Sequence, residues 1–344
     1  MRMSKKVKDF LILFCVSVLS VFIPALLILL GVLDDYGTQI LSLAIVNSCL
    51  AISVNIISGI TGQLSLGQAG FMAIGAYSCI YFCEFLSIPF GISVILAGLF
   101  TAFIGFLIGF PTLKLKGDYL AIVTLGFGEI IRVVLVNLKD ITGGPNGKSF
   151  ASPFSGSSLL TYIFLAVQLV VIIALVQNFI RSSYGRCILA VRDDEIAADS
   201  TGVSVFKYKM IGFVIASFIA GIGGTMYISL IGFIKPDNAS FLRSIDYLIY
   251  VVLGGMGSTT GTVLAAFVLT ILQEVLRFLE DFRLVFYPLI LILVMLFRPQ
   301  GLLGTREFSF TGFYEKFFVT EKLYKKPLTW FKSLSVRKRD SGRK

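Results

Sequence analysis

Two pairs of opposite charges lie inside long apolar segments of the chain. Glu129 and Arg132 are three residues apart in one segment, and Glu274 and Arg277 have the same spacing in another. On a helix this spacing places both side chains on one face, where they can form an ion pair. Ionisable groups at membrane depth are costly and usually face the protein interior. We favour a structural ion pair between helices or subunits in each case; the alternative is a path that binds the charged ends of a zwitterion.

A second set of chemically useful groups lies in two glycine-rich interruptions of the apolar sequence. The stretch 58–77, SGITGQLSLGQAGFMAIGAY, carries five glycines and two glutamines, and the stretch 251–266, VVLGGMGSTTGTVLAA, carries four glycines. Uncharged polar side chains and freed backbone amides suit a small zwitterion with an apolar side chain. The predicted translocation path contains Asn55, Gln63, Ser65, Gln68, Gly254, Gly255 and Gly257, with Glu129 and Arg132 as further candidates.

Both interruptions have the order apolar helix, glycine-rich break, small-residue helix, and they fall in the two halves of the chain. Paired interruptions of this kind indicate discontinuous helices in a transporter built from two related halves. Non-helical backbone is tolerated at membrane depth only where protein or a water-filled cavity covers it. The alternative interpretation is close helix packing through small residues, which is compatible with the first.

The segment TGGPNGKS, residues 142–149, is similar to a phosphate-binding loop but does not match its pattern. The pattern G-x-x-x-x-G-K-[ST] requires a glycine at position 142, where this chain has threonine. It also requires a preceding strand and a following helix, whereas here an apolar segment precedes the glycines. We therefore predict a Gly/Pro/Asn turn in an outer loop and no nucleotide site.

The loop of residues 181–208 contains a predicted amphipathic helix. Good helix formers run from about Arg186 to Thr201, and Gly202 is placed to end the helix in a left-handed conformation. Such a helix is either a solvated linker or a segment that docks into a groove of a partner. Its apolar stripe is Ile188, Leu189, Val191 and Ile196, and its charged surface is Arg192, Asp193, Asp194, Glu195 and Asp199.

The elements that must position these residues are membrane helices. The chain has 344 residues, of which 56% are hydrophobic and 15% charged, and a mean hydropathy of +0.89, which is typical of an integral membrane protein. Long continuous apolar runs favour helices over the alternating strands of a barrel. We predict an all-α polytopic membrane protein with two related halves and about ten membrane helices or half-helices. Their approximate bounds are 10–33, 40–58, 68–85, 87–110, 118–138, 158–180, 209–232, 245–255, 260–279 and 283–297.

The basic residues predict how the chain is threaded. If the N-terminus is cytoplasmic, alternation places residues 111–117 and 181–208 inside and residues 34–38 and 139–157 outside. Positive charges favour the cytoplasmic side of a membrane. Those of the predicted inner loops are Lys114, Lys116, Arg181, Arg186, Arg192 and Lys207.

Three regions are predicted: a cytoplasmic N-terminus (1–9), a membrane domain (10–304) and a basic cytoplasmic tail (305–344). The first apolar run is longer than the core of a signal peptide and is interpreted as an uncleaved span. The formal charge of +10 does not predict nucleic-acid binding, because no soluble basic domain accompanies it. The chain has no histidine and no acid–base constellation in a plausible cleft, so no enzyme activity and no metal are predicted.

The inner loop carries a resemblance to a known family. GRCILAVRDDEIAADSTGVSVFKYK resembles the coupling-loop signature of ABC importer permeases, whose E-x-A-A-x-x-x-G kernel matches Glu195, Ala197, Ala198 and Gly202. Over about residues 40–304 the chain resembles the LivM-type permease subunits of branched-chain amino acid importers. The other matching stretches are TGQLSLGQAGFMAIGAY, KGDYLAIVTLGFGEIIRVV, TGGPNGKS, FLRSIDYLIYVVLGGMGSTTGTVLAA and LFRPQGLLG.

The resemblance implies the membrane-spanning subunit of an ATP-driven importer of branched-chain amino acids in a prokaryotic inner membrane, with both termini cytoplasmic. The implied partners are a second homologous permease subunit, two cytoplasmic ATP-binding subunits and an extracytoplasmic substrate-binding protein. The chain itself would need no cofactor, because the partner subunits bind ATP. The residues implied in coupling are Arg186, Arg192, Asp193, Asp194, Glu195, Ala197, Ala198 and Gly202.

Two other functions remain open at this point. Related permeases could carry urea, amides or other amino acids. An ion-coupled secondary transporter or a channel would need no docking loop. Disruption of the predicted helix at Glu195 or Gly202 distinguishes these classes, because only an ATP-driven permease would then lose coupling while still inserting into the membrane.

Overall fold

The computed structural model describes residue 28, residues 34–115, 117–154, 156–278 and 283–297, and residues 301, 302 and 304. The predicted N-terminus, nearly all of the predicted first span, Lys116 and the predicted tail lie outside the described residues. The description that follows concerns the remaining nine predicted segments and the loops between them.

The described part of the chain contains twelve α-helices and two very short strands. The helices are α1 (Asp35–Asn55), α2 (Gln68–Glu84), α3 (Phe90–Thr112), α4 (Asp118–Asn137), α5 (Lys139–Thr142), α6 (Ser158–Arg181), α7 (Ser183–Asp193), α8 (Glu195–Ser200), α9 (Val205–Ile231), α10 (Phe241–Gly254), α11 (Thr259–Val275) and α12 (Arg283–Phe297). The strands β1 (Lys148–Ser149) and β2 (Phe233–Ile234) pair antiparallel. Each predicted segment beyond residue 33 coincides with a helix, which confirms the predicted all-α membrane protein.

Six helices of the described residues are long and apolar enough to cross a membrane, judged by length and composition. They are Asp35–Ile60, Phe90–Thr112, Asp118–Asn137, Ser158–Arg181, Val205–Ile231 and Thr259–Phe278. The helices α2 and α10 have 17 and 14 residues, which corresponds to about 26 and 21 Å at 1.5 Å per residue. Because a bilayer core is about 30 Å thick, both helices need non-helical backbone to complete a crossing.

The loops of the described residues gather at two ends of the helix bundle. The end that contains residues 181–208 is called end A. There Arg192 contacts Gly59. At the same end, the Leu302 N–H donates to the Leu253 carbonyl oxygen at 2.7 Å. At the opposite end, end B, the contacts are Ser158 Oγ to Asp35 Oδ1 at 2.8 Å, Lys148 Nζ to Glu84 Oε2 at 2.8 Å, and Arg277 Nη1 to Tyr36 Oη at 2.8 Å. The predicted inside loops meet at end A and the predicted outside loops at end B, in agreement with the alternating topology.

Small residues bring the central helices close together. A Cβ atom on Gly224 of α9 would lie within 3.0 Å of the Met72 carbonyl oxygen of α2, and one on Gly75 of α2 would lie as close to the backbone of Gly221. The α1 span is the most buried, with 78% of its apolar window inside the protein against 39% for α3 and 33% for α4. Helix α1 is therefore central, whereas α3 and α4 present apolar faces to lipid.

The segment TGGPNGKS forms the predicted turn at end B. Gly144–Asn146 is a single 3₁₀ turn, β1 follows it, and Gly143, Gly144 and Gly147 all have positive φ angles. A Cβ on Gly147 would also come within 3.0 Å of the Ile234 carbonyl oxygen. The glycines are therefore required by the backbone of a turn that packs against β2.

Candidate functional site

The first glycine-rich interruption is a broken helix, as predicted. Helix α1 passes into a π-helical turn at Ile56–Ile60, residues 61–67 are not helical, and α2 begins at Gln68. Gly62 adopts a φ of +69°, which a residue with a side chain rarely does. Isolated π-helical turns are frequently found at functional sites. The chain therefore reverses direction here through irregular backbone.

The polar side chains of this break are buried and partly unpaired. Their exposed fractions are 0% for Asn55, 3% for Gln63, 2% for Ser65 and 1% for Gln68. Within the described residues, Asn55 Nδ2, Gln63 Nε2, Ser65 Oγ and Gln68 Nε2 have no hydrogen-bond partner. Buried polar groups are nearly always paired with protein or ordered water. These groups can therefore donate hydrogen bonds to water or to a small polar ligand.

The second interruption is also a break, and it contacts the first. Helix α10 ends at Gly254, α11 begins at Thr259, and Gly255 and Gly257 have φ angles of +106° and +92°. Gly257 N–H donates a hydrogen bond to Asn55 Oδ1 at 2.8 Å. The predicted path residues of the two halves thus meet at end A.

Glycines permit this contact between the two breaks. A Cβ on Gly59 would come within 3.0 Å of the Gly257 nitrogen, and one on Gly254 would lie 2.6 Å from the backbone of Gly261. Elsewhere in the first stretch, Gly70 packs on α4 and Gly75 packs on α9. The two interpretations of the glycines are therefore both correct: some allow irregular backbone and others allow close helix packing.

The predicted charge pairs form, but away from the breaks. Arg132 Nε lies 2.7 Å from Glu129 Oε2, and Arg132 Nη1 lies 3.5 Å from Asp237 at end B. Glu129 Oε1 also accepts from the Phe241 N–H at 3.3 Å. These contacts connect α4 to the loop before α10, which is the structural role that we favoured. Arg277 Nη1 similarly lies 3.0 Å from Glu274 Oε1.

The predicted single helix of the 181–208 loop is wrong, because the chain forms two helices. Asp194 has an extended backbone (φ −156°, ψ 108°) between α7 and α8. Its Oδ1 accepts from the N–H groups of Ile196 at 2.9 Å and Ala197 at 3.0 Å. An aspartate in this position caps the next helix and competes with continuation of the previous one. Asp194 is therefore an N-cap and not a residue of a helical face.

The end of the loop follows the prediction. Gly202 has a φ of +85° and its N–H donates to Asp199 O at 2.9 Å, while Val203 N–H donates to Ala198 O at 3.1 Å. This pair of hydrogen bonds is the Schellman motif that commonly ends a helix at glycine. The predicted left-handed stop at Gly202 is confirmed.

The break at Asp194 divides the predicted apolar stripe. Ile188 and Val191 of α7 are each 1% exposed and pack on the bundle, whereas Ile196 of α8 is 83% exposed. The second helix turns its apolar residue outward because its direction changes at the cap. The exposed group formed by Asp193, Asp194, Ile196 and Ala197 is called the α8 surface below.

Helix α8 is fixed to α9 on its other side. Lys209 Nζ donates to Glu195 Oε1, and the Lys209 side chain is only 10% exposed against 38% for Glu195. Ala198 is buried on the same side. Glu195 and Ala198 of the predicted docking set thus help to hold α8 against α9, and their role in coupling stays a prediction.

The two arginines of the predicted docking set differ. Arg186 is exposed and bonds locally, through Nη1 to Arg181 O and Nη2 to Ser183 Oγ, both at 2.9 Å. Arg192 instead donates from Nη1 to Gly59 O at 3.0 Å, inside the first break. Arg192 thus reaches toward the bundle, and its predicted role in coupling stays a prediction. Charge patterns cannot reveal this contact, because it depends on how α7 folds back onto the bundle.

Sequence reasoning also missed a cavity of about 510 Å³ at end B, which both polar and apolar side chains line. It lies between α1, α6 and α9, where Asp35, Gln39, Ser42 and Ser229 are among the lining residues. Hydroxyl, amide and carboxylate groups of this kind can hydrogen-bond a small zwitterion. Each residue lies in an otherwise apolar helix, which gives no signal that the groups converge.

Comparisons with known proteins agree on one family. The family model described as branched-chain amino acid transport system / permease component matches residues 37–297. The chain is 36% identical over 317 residues to the high-affinity branched-chain amino acid transport system permease protein LivM of Escherichia coli, covering 83% of this chain and 75% of that protein. It is 25% identical over 238 residues to a probable LivM of Methanocaldococcus jannaschii, covering 61% of this chain and 68% of that protein.

A more distant relative has a different named cargo. The nucleoside ABC transporter permease protein NupC of Lactococcus lactis is 23% identical over 185 residues, covering 48% of this chain and 58% of that protein. No solved structure matches the chain. The LivM of Escherichia coli therefore matches more of this chain, and at higher identity, than this nucleoside permease does.

Proposed function

Because this chain belongs to the family of branched-chain amino acid transport system permease components, we propose that it is the membrane-spanning subunit of an ATP-driven importer of branched-chain amino acids. One observation carries the proposal beyond family membership. The first helix break, which carries unpaired, buried polar groups, meets the second break beneath the α7–α8 loop at end A. Such an arrangement can join a substrate path to a cytoplasmic motor.

The proposed path uses the polar groups of the two breaks. Asn55, Gln63, Ser65 and Gln68 supply uncharged hydrogen-bonding groups. Gly254, Gly255 and Gly257 supply the non-helical backbone of the second break, which packs beside them. Groups of this kind can replace part of the hydration of a zwitterion without holding it by a buried ion pair. Apolar helix faces around the breaks suit the aliphatic side chain of the substrate.

The proposed coupling uses the α8 surface. Ile196 is an exposed apolar side chain next to the exposed acidic residues Asp193 and Asp194. An exposed apolar anchor on a short helix suits insertion into a groove of a cytoplasmic ATP-binding subunit. The chain would work with two such subunits, a second homologous permease subunit and an extracytoplasmic binding protein. ATP would bind to the partner subunits.

The first test is ATP-dependent uptake. The chain is co-purified with the products of neighbouring genes and reconstituted into liposomes, and uptake of labelled leucine is measured with and without internal ATP. We expect uptake that needs ATP and is inhibited by unlabelled isoleucine and valine. Inhibition by urea, an amide or a nucleoside, and not by isoleucine or valine, would indicate a different substrate. Uptake that is driven by an ion gradient without ATP would contradict the proposal.

We propose that end A faces the cytoplasm of a prokaryotic cell and that the membrane domain extends over residues 10–304. The basic residues Lys114, Arg181, Arg186 and Lys207 of the end A loops support this orientation. In a variant with Cys15 and Cys83 replaced by serine, the partly exposed Cys187 is expected to react with a membrane-impermeant maleimide only after the cells are permeabilised.

A cysteine placed at the exposed residue Ala151 of end B is the matched control for this labelling. It is expected to react in sealed cells. If Cys187 reacts in sealed cells and the end B cysteine does not, the proposed orientation is reversed, and end A cannot meet a cytoplasmic ATPase.

A further inference from the structure

We propose that Arg192 is the positioning residue that transmits movement of α7 to both helix breaks at once. The proposal rests on the proposed function and adds to it the route by which the loop acts on the path. In this arrangement Arg192 does not touch the ATP-binding partner. It joins the inner side of α7 to the backbone of the first break by a hydrogen bond and lies beside Gly257 of the second break.

The first connection is a hydrogen bond from a charged donor. Arg192 Nη1 lies 3.0 Å from the Gly59 carbonyl oxygen in the π-helical turn that ends α1. Carbonyl groups in the last turn of a helix lack intrahelical donors and carry partial negative charge, so a guanidinium is a favourable partner. A hydrogen bond with a charged donor is also stronger than one between neutral groups.

The arginine side chain is enclosed by glycines from both breaks. A Cβ on Gly62, which has a φ of +69°, would lie 2.7 Å from Arg192 Cγ. A Cβ on Gly257 of the second break would lie 3.3 Å from Arg192 Nη1. The absence of side chains at these two positions therefore makes room for the arginine to reach the junction.

The junction itself is closed by a second hydrogen bond. Gly257 N–H donates to Asn55 Oδ1 at 2.8 Å. Asn55 lies about one helical turn before Gly59 in the chain. Gly59 and Gly257 are in backbone contact, so displacement of the Gly59 carbonyl moves both breaks. On its outer side Arg192 is oriented by Asp193 Oδ1, which lies 2.9 Å from Nη2 and 3.1 Å from Nε.

Two variants at end A separate loss of this contact from loss of a positive charge. In Arg192→Gln the contact with Gly59 is lost, whereas Lys207→Gln removes a positive charge from an exposed position at the start of α9. With the reconstituted full complex, we expect Arg192→Gln to lower leucine uptake per ATP hydrolysed by about tenfold. ATP hydrolysis and co-purification of the ATP-binding subunits should stay within about twofold of wild type. Lys207→Gln should leave uptake per ATP unchanged.

The distance between α7 and the first break distinguishes transmission from a purely structural role. A purely structural role of Arg192 would not make this distance depend on ATP. Spin labels are placed at the exposed residues Ala190 of α7 and Leu64 of the first break, in a background without the native cysteines. When Arg192 is retained, the distribution of distances between the two labels is expected to be narrow. It should be the same with and without ATP, because α7 and the first break move together. In Arg192→Gln it should broaden and shift when ATP is added.

The outcomes distinguish this proposal from the function on which it rests. If the wild-type complex shows no ATP-dependent uptake, the proposed function fails. If wild type is active and Arg192→Gln has normal uptake per ATP, or loses the ATP-binding subunits, the transmission role is overturned. If Arg192→Gln does not accumulate, Arg192→Lys is used in its place. The lysine ammonium cannot reproduce the fork of the guanidinium, so uptake per ATP should fall only in part. Uptake per ATP equal to that of wild type, together with an unchanged distance distribution, overturns the proposal.

Discussion

Replacement of Gly224 by valine is expected to prevent accumulation of folded protein. Gly224 lies where α9 crosses α2, and a Cβ there would lie within 3.0 Å of the Met72 carbonyl oxygen and 2.8 Å from the Ala76 nitrogen. Both are backbone atoms of a helix, so they cannot move aside as a flexible side chain can. Overpacking of a core typically costs about 1–3 kcal/mol and more where backbone must shift, against a total stability of about 5–15 kcal/mol for a typical protein.

Gly126→Val is the matched control. Gly126 lies on α4, and nothing lies within 4 Å of a Cβ built there. The yield of monodisperse protein in detergent, measured by fluorescence-detected size-exclusion chromatography of a fluorescent fusion, should be near wild type for Gly126→Val and close to background for Gly224→Val. Equal yields for the two variants would show that the α2–α9 crossing is not as tight as described.

The second large effect is expected at Glu195, which the sequence placed on a docking surface and the structure places against α9. Glu195→Gln leaves the Lys209 ammonium, which is 10% exposed, without its carboxylate. Glu195 is partly exposed. The loss of folding free energy should therefore lie between the values for breaking a surface and a buried ion pair, at about 1–3 kcal/mol. We expect ATP-dependent leucine uptake to fall about tenfold, because the unpaired Lys209 ammonium disturbs the packing of α8 on α9. The subunit should still insert into the membrane.

A double variant separates the ion pair from other effects of the substitution. Lys209→Met removes the buried charge, so Glu195→Gln/Lys209→Met should recover much of the uptake that Glu195→Gln loses. Lys209→Met alone should be milder than Glu195→Gln, because the remaining carboxylate is more exposed than the ammonium. Uptake by the double variant that is no better than that of Glu195→Gln would argue against the ion pair as the cause.

Hydropathy and turn chemistry were sufficient to predict the main elements of this protein. Apolar runs long enough to cross a bilayer must satisfy their backbone internally, so each described run became a helix. Gly202 ends α8 in the left-handed conformation because glycine has no Cβ to oppose it. The two glycine-rich breaks were also predictable, since clustered glycines weaken a helix wherever they lie.

The predicted single helix in the 181–208 loop failed for a local reason. The good helix formers on both sides of Asp193 and Asp194 favour one continuous helix, but the Asp194 carboxylate caps the next helix and ends the first. The sequence signal existed, because aspartate is a preferred N-cap, yet propensity does not decide between a capping residue and an interior one. The outward orientation of Ile196 followed from that choice.

Residue types and their spacing along the chain determined the membrane helices, their alternation, the two breaks and the glycine stop at Gly202. Only the tertiary structure decided that Asn55 and Gly257 bond each other, that Arg192 reaches Gly59, and that Lys209 holds Glu195. Periodicity within one helix describes the face that a residue shares with its near neighbours. Contacts between residues that are 14, 133 or 202 positions apart depend on how helices cross and how deeply each one sits, and those are set by packing of the whole bundle.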